Sequence, residues 1–204
     1  MEQAKQYEYI DLGLPNGLKW AKCNVGAKKE TDYGDYFMWG SAKPNTKTTC
    51  NWMKNPFNNG SDSCDEEYFN AHKSEWLDDN ENLKTEYDAA RANMGGDWRM
   101  PTKDDFQELL DNTDSEWVHD YNGTGVGGRK FTSKTNGNSI FIPFSGERLD
   151  SSFFFQGTFG NIWSSSLDTA EPYFAWYLGF SEDRVYADYY ESRDFGFVVR
   201  GVMN

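Results

Sequence analysis

YDAARANMGGDWRMPTKDDFQELL, residues 87–110, carries two helix signals joined by a short connector. The first spans Thr85–Met94, which brings Tyr87, Ala90, Arg91 and Met94 near one another and stops at Gly95–Gly96, residues suited to a helix terminus. Thr102 opens the second. Asp105 lies three residues on, giving a T-x-x-D variant of the capping box, and Phe106, Leu109 and Leu110 form the apolar stripe. The connector Asp97–Pro101 is short enough to hold the helices in fixed relation. Within it Trp98 and Arg99 read as scaffold, with Arg99 placed to cap carbonyls or pair with a buried acid.

Outside this pair the signal is mostly strand and turn. Tyr7–Leu12 alternates loosely before the turn residues Gly13, Pro15, Asn16 and Gly17. Leu18–Val25 resumes as a strand, and Tyr33–Trp39 is aromatic and partly buried. Periodicity is lost from Ser41 to Asn82, where isolated rings at Trp52, Phe57, Tyr68, Phe69 and Trp76 would anchor a surface insertion. After Asn112 the strand candidates are Arg129–Thr132, Ser139–Phe144, Phe153–Phe155, Ile162–Ser166, Phe174–Phe180, Arg184–Tyr189 and Phe195–Val202. Asn136–Gly137 makes a turn, and Pro143 argues for an edge or terminating position. Two helices packed on short antiparallel strands predict a single α+β domain over residues 1–204.

The 204 residues can support one substantial core, and 26% charged with 17% aromatic residues excludes broad disorder. A net charge of −13, with no Lys/Arg stripe, argues against nucleic acid as a partner. Residues 60–90 contribute ten Asp/Glu against two Lys, which reads as a solvated acidic face. No run is long and apolar enough to span a membrane, and no signal-peptide core follows Met1. Cys23, Cys50, Cys64, His72 and His119 lack metal-ligand spacing, so no metal or cofactor is expected.

Catalytic motifs are equally scarce. Ser164, Ser165 and Ser166 follow Trp163 without a G-x-S-x-G elbow, and read as strand-end hydrogen bonding. Walker A, G-x-G-x-x-G and H-E-x-x-H patterns do not occur. Asp104 and Asp105 suit a helix's first turn. Glu171, Asp183, Asp188 and Asp194 lie in the tail without a spacing that names an acid/base pair.

The tail is unusual for its rings. Residues 153–204 hold 15 of the chain's 35 Phe, Tyr and Trp residues, several of the tyrosines beside Asp, Ser, Glu or Gly. Tyr supplies rigid contact area and a hydrogen-bonding tip at low entropic cost, as recognition surfaces require. In Trp176–Phe180, strand parity puts Trp176, Leu178 and Phe180 on one, core-facing side and leaves Tyr177 and Gly179 on an exposed one. Tyr189 and Tyr190 cannot both point inward from a regular strand, so at least one is presented.

The segments YIDLGLPNGLKWAKCNVGA, YGDYFMWG, YDAARANMGGDWRMPTKDDFQELL, NGNSIFIPFSGER and GNIWSSS…AWYLGF…GFVVR, in this order, resemble gut-bacterial surface proteins of the Fibrobacter major-paralogous-domain type. The resemblance covers nearly all of the chain except about 41–82. It implies a C-type-lectin-like fold of the formylglycine-generating-enzyme variety. It extends to the variable proteins of diversity-generating retroelements of the gut Bacteroidales, in which adenine-directed mutagenesis diversifies displayed C-terminal residues. By that likeness the variable, ligand-binding region is about 160–200. Its polar-aromatic positions Tyr173, Phe174, Tyr177, Gly179, Ser181, Tyr186, Asp188, Tyr189, Tyr190, Ser192, Asp194 and Phe195 are all reachable from adenine-containing Asn codons. Trp163, Trp176 and Glu191 are not reachable, and with Leu178 and Phe180 the two tryptophans form the scaffold beneath. Two departures limit the likeness. Glu171-Pro172-Tyr173 replaces the calcium-lectin E-P-N and no W-N-D follows; the tail also has no Cys for copper oxidase chemistry.

The expectation is therefore a non-enzymatic display protein at the cell surface or outside the cell, with any targeting segment absent from this chain. Its ligand would be a protein or a cell-surface glycan. The alternatives are a non-diversified adhesive module and, third, a glycan-processing enzyme using tail carboxylates.

Overall fold

The computed structural model describes residues 7–204. Strands β1 (Tyr9–Asp11), β2 (Lys19–Ala21) and β3 (Tyr36–Met38) precede the helices α1 (Glu66–Trp76), α2 (Ala89–Met94) and α3 (Lys103–Asn112). The architecture is mixed α and β, mostly sheet, and the expectation of two helices is corrected to three α-helices among the described residues.

The predicted helix at Thr85–Met94 is in fact a 3-10 turn, Thr85–Tyr87, followed by α2. Asp88 makes the break. Its backbone is extended, and its carboxylate accepts from the Arg91 amide at 2.9 Å and the Met100 amide at 2.8 Å. A short acidic side chain gains more by capping than by continuing the helix. One buried carboxylate thereby fixes both α2 and the connector. At α3 the Thr102–Asp105 capping box forms in both directions, at 3.1 and 2.8 Å. Arg99 donates to Asp105 at 2.7 Å and to the Met100 carbonyl at 3.0 Å, so both structural roles foreseen for it are realised.

The stretch 41–82 is not a superficial insertion. Its helix α1 is capped by Asp65, whose side chain accepts from the Tyr68 amide. Phe57 and Phe69 are fully buried, and Phe57 stacks on Trp76 at 4.6 Å. Phe69 and Trp76 are two turns apart and are the helix's only buried residues, too sparse a stripe to register as a period.

The other strands are β4 (Thr113–Val118), β5 (Gly128–Ser133), β6 (Ser139–Pro143), β7 (Glu147–Leu149), β8 (Ser152–Phe154), β9 (Gly160–Leu167), β10 (Phe174–Phe180), β11 (Val185–Ser192), β12 (Gly196–Val198) and β13 (Val202–Met203). Among the described residues they form three sheets. One is β1-β2-β13 and one is the meander β4-β5-β6, where Pro143 ends the outer strand. The central sheet runs β11-β10-β9-β12-β7-β8, with β3 also on β12. β12 lies parallel to β9, so the sheet is not wholly antiparallel.

Each face of the central sheet carries its own core. On one side Trp163 stacks on Phe197 at 4.2 Å within a cluster that includes Trp39, Phe57 and Trp76. On the other, Ile162, Leu178, Phe180 and Val198 meet Phe106 and Leu109 of α3. Among the described residues, Arg193 and Arg200 are fully buried and form no ion pair with a carboxylate. Arg200 donates to Asn24 Oδ1 and to the carbonyls of Ala21, Lys22 and Phe141. Burial lowers its pKa to about 10, and the four acceptors keep the charge satisfied.

Candidate ligand-binding surface

The β10–β11 hairpin holds most of the predicted positions. Register pairs Trp176 with Tyr190 and Tyr177 with Tyr189, so each pair shares a face. An irregularity follows, after which Gly179 pairs with Tyr186. Tyr189 and Tyr190 point to opposite faces, yet they are 45% and 49% exposed. Both are open because β11 is the outermost strand of the sheet.

The Trp176 face bears a ribbon of rings. Trp52 meets Tyr173 at 6.3 Å, Tyr173 meets Phe174 at 6.2 Å, Phe174 meets Tyr190 at 5.1 Å and Tyr190 meets Trp176 at 5.5 Å. The ammonium of Lys103, at the start of α3, lies 3.2 Å from the centre of the Trp176 ring. Trp176 is therefore half-buried at the surface and not the core residue expected from parity; only Leu178 and Phe180 of that trio are buried. The trio shares a face, but α3 covers the far end of it and leaves Trp176 at the margin.

The opposite face is corrected too. Tyr177 was expected to be exposed, but it packs on Trp163 at 6.2 Å and Phe197 at 5.0 Å and is only partly open. Gly179 is buried beneath it: a Cβ there would lie 2.8 Å from the Tyr177 ring. Tyr186 stacks on Tyr189 at 4.2 Å. Glu147 and Glu191 border these rings, both half-buried. Glu147 accepts from Asn161 Nδ2 at 3.2 Å, and burial with the nearby charge of Glu191 pushes its pKa up to about 7. Burial raises Glu191 as well, and burial together with both glutamates raises the Tyr177 hydroxyl.

The remaining positions divide. Asp188 is exposed, while Ser181 sits in the hairpin turn with its carbonyl accepting from Arg129 Nε. Ser192 donates to Asp194. Asp194, expected on the surface, is 6% exposed, and Phe195 packs against the first core cluster. The floor residues Trp163 and Trp98 are buried, and Trp163 Nε1 donates to the Phe37 carbonyl at 2.9 Å. Ser164 and Ser165 are buried and donate to backbone carbonyls, Ser164 to Trp176 and Ser165 to Pro101, but they lie within β9 and not at its end as expected.

Sequence reasoning missed Trp52, Lys103, Glu147 and Glu191 as surface members, and the buried Asn161 that holds Glu147. Their convergence depends on strand order, which no local pattern encodes. Exposed Phe153, Phe154, Phe155 and Phe159 form a separate apolar patch around the β8 edge; the run FFF at 153–155 was its signal.

Set against known families, the model of the Lcl C-terminal domain matches residues 14–203. The chain belongs to that family. No curated protein and no solved structure matches it. In this Lcl C-terminal domain, no three His, Cys, Asp or Glu side chains among the described residues cluster to hold a metal ion. No described helix is long and apolar enough to cross a membrane.

Proposed function

We propose that this Lcl C-terminal domain is a binding module, not an enzyme, and that it displays the β10–β11 hairpin to a protein or glycan ligand at the cell surface. The observation that carries the reading is the exposure of adjacent Tyr189 and Tyr190 on an edge strand, each backed by further rings over a buried floor. Rigid amphipathic rings on a fixed scaffold are the economical way to make a recognition surface. The likeness to C-type-lectin-like variable proteins supports the same assignment. Positions such as Tyr173, Phe174, Tyr186, Asp188, Tyr189 and Tyr190 would be the diversified set, held over Trp163, Leu178 and Phe180.

Protein and glycan arrays, with and without calcium, would identify a ligand. Joint replacement of Tyr186, Tyr189 and Tyr190 by Ala should then abolish its binding while folding is retained. Undiminished affinity in the folded triple variant would refute this placement. In the encoding genome, diversification predicts a nearby reverse-transcriptase gene and a near-copy of the tail's DNA differing at adenines. A second reading, an adhesive module without diversification, is favoured by the Phe153–Phe155 and Phe159 patch, which lies off the hairpin.

A further inference from the structure

The two faces of the hairpin differ in charge. On the Trp176 face a cation is already in place, since Lys103 covers that ring. On the Tyr177 face no cation among the described residues lies over a ring; Arg184 reaches only the Tyr186 hydroxyl at its edge. Tyr177 and Tyr189 stand with ring centres 6.4 Å apart, and Tyr186 stacks beside Tyr189. Glu191 lies two residues beyond Tyr189 on the same side of β11, and Glu147 is held at the opposite margin by Asn161. Among the described residues neither glutamate forms an ion pair. Arg184, fully exposed at the hairpin turn, is directed to the Tyr186 hydroxyl.

Aromatic faces attract cations through their quadrupoles, and partial desolvation strengthens that attraction. Two half-buried carboxylates, one of them with its ionisation further opposed by the other's charge, are relieved by a positive charge between them. With two carboxylates and neutral phenols, the set suits an organic cation better than a bare metal ion. The outer edge of β11 leaves backbone N–H and C=O groups free to pair with an extended chain, which favours a polypeptide as the carrier. The chain's net charge of −13 would draw a basic partner toward it.

We infer that the Tyr177, Tyr186 and Tyr189 face, flanked by Glu147 and Glu191, is a site for the ammonium group of a lysine side chain on a partner protein. This rests on the display reading above and names the chemistry of its ligand.

The test titrates the full chain with Nα-acetyl-lysine methylamide, with its Nε-acetylated counterpart and with glucosamine, following the Asn161 side-chain amide signals by NMR. The charged lysine compound should bind at least about tenfold more tightly than the neutral one. E147Q combined with E191Q should weaken it by a similar factor, while E182Q, which removes the same kind of charge from the hairpin turn, should leave it unchanged. Y186L combined with Y189L should also weaken it, in a chain shown to be folded by its thermal transition.

Equal binding of the charged and acetylated compounds, or indifference to the glutamate pair, overturns the inference. Tighter binding of glucosamine than of the lysine compound overturns the assignment to a protein partner. An array ligand that needs Tyr186, Tyr189 and Tyr190 but neither glutamate overturns this inference and leaves the display reading standing. A ligand indifferent to the tyrosines removes both.

Discussion

Glu147→Gln should make the protein more stable, and only above the pH at which Glu147 ionises. In the folded chain its carboxyl is held at about 7 against an ordinary 4.5, first by burial and second by Glu191. The unfolded chain restores the ordinary value, so the fold binds this proton more tightly than the coil does. The resulting stabilisation is complete below about pH 4.5, fades as the pH rises, and is gone above about pH 7. The full difference corresponds to an upper limit of about 3.4 kcal/mol. Because the side chain keeps contact with water, screening reduces the expected effect to about 1–2 kcal/mol. Glutamine retains the acceptor for Asn161 Nδ2, so the substitution removes charge with little change in packing. Urea unfolding followed by tryptophan fluorescence, at about pH 5 and about pH 8, measures both limbs. E147Q should be near wild type at the lower pH and more stable at the higher. Equal differences at the two values, or a less stable variant at pH 8, would refute the reasoning.

Other perturbations test the floor and the frame. Trp163→Ala should cost about 3–5 kcal/mol in the same assay, because it empties a fully buried site; a loss under about 1 kcal/mol would contradict its role. Gly160→Ala should destabilise by about 1–3 kcal/mol, since its Cβ would sit 2.1 Å from the Phe180 ring. Its thermal midpoint should fall, and an unchanged one would show that the ring moves aside freely. Thr102→Ala removes one arm of the α3 capping box and should cost about 1 kcal/mol by urea unfolding. Tyr189→Ala and Tyr190→Ala, by contrast, should each stay within about 0.5 kcal/mol of wild type, as exposed side chains do; a large loss would mark them as packing residues.

What the sequence disclosed depended on whether the signal was local. The Thr102–Asp105 box and the Asn136–Gly137 turn are read from neighbours, and β10 from a seven-residue run; β10 has the predicted bounds, Phe174–Phe180. The break at Asp88 was legible in principle, as a capping residue followed by Ala-Ala, but the longer apolar pattern masked it. Helix α1 was not legible, because only Phe69 and Trp76 face inward amid an acidic surface. At the candidate site, parity put Trp176 and Tyr177 on opposite faces, as they are, but gave the burial of neither. It could not say where α3 ends over one face or that Trp163 and Phe197 rise against the other. Glu147 reaches the hairpin only through the order of strands β9, β12 and β7.

Arg193 closes the foot of the hairpin. Its amide donates to the Tyr173 carbonyl and its Nε to the Pro172 carbonyl, while its own carbonyl accepts from the Trp39 amide and Asn55 Nδ2. Its guanidinium lies 4.0 Å from the centre of the Phe69 ring, within the segment that carries α1. The hairpin is thus a cassette seated in a socket. On the display reading, residues between Pro172 and Arg193 would be the ones exchanged, with the two latch points and the buried inward positions kept. A change at Arg193 itself would loosen the tail and the α1 segment together, whatever sequence the cassette carried.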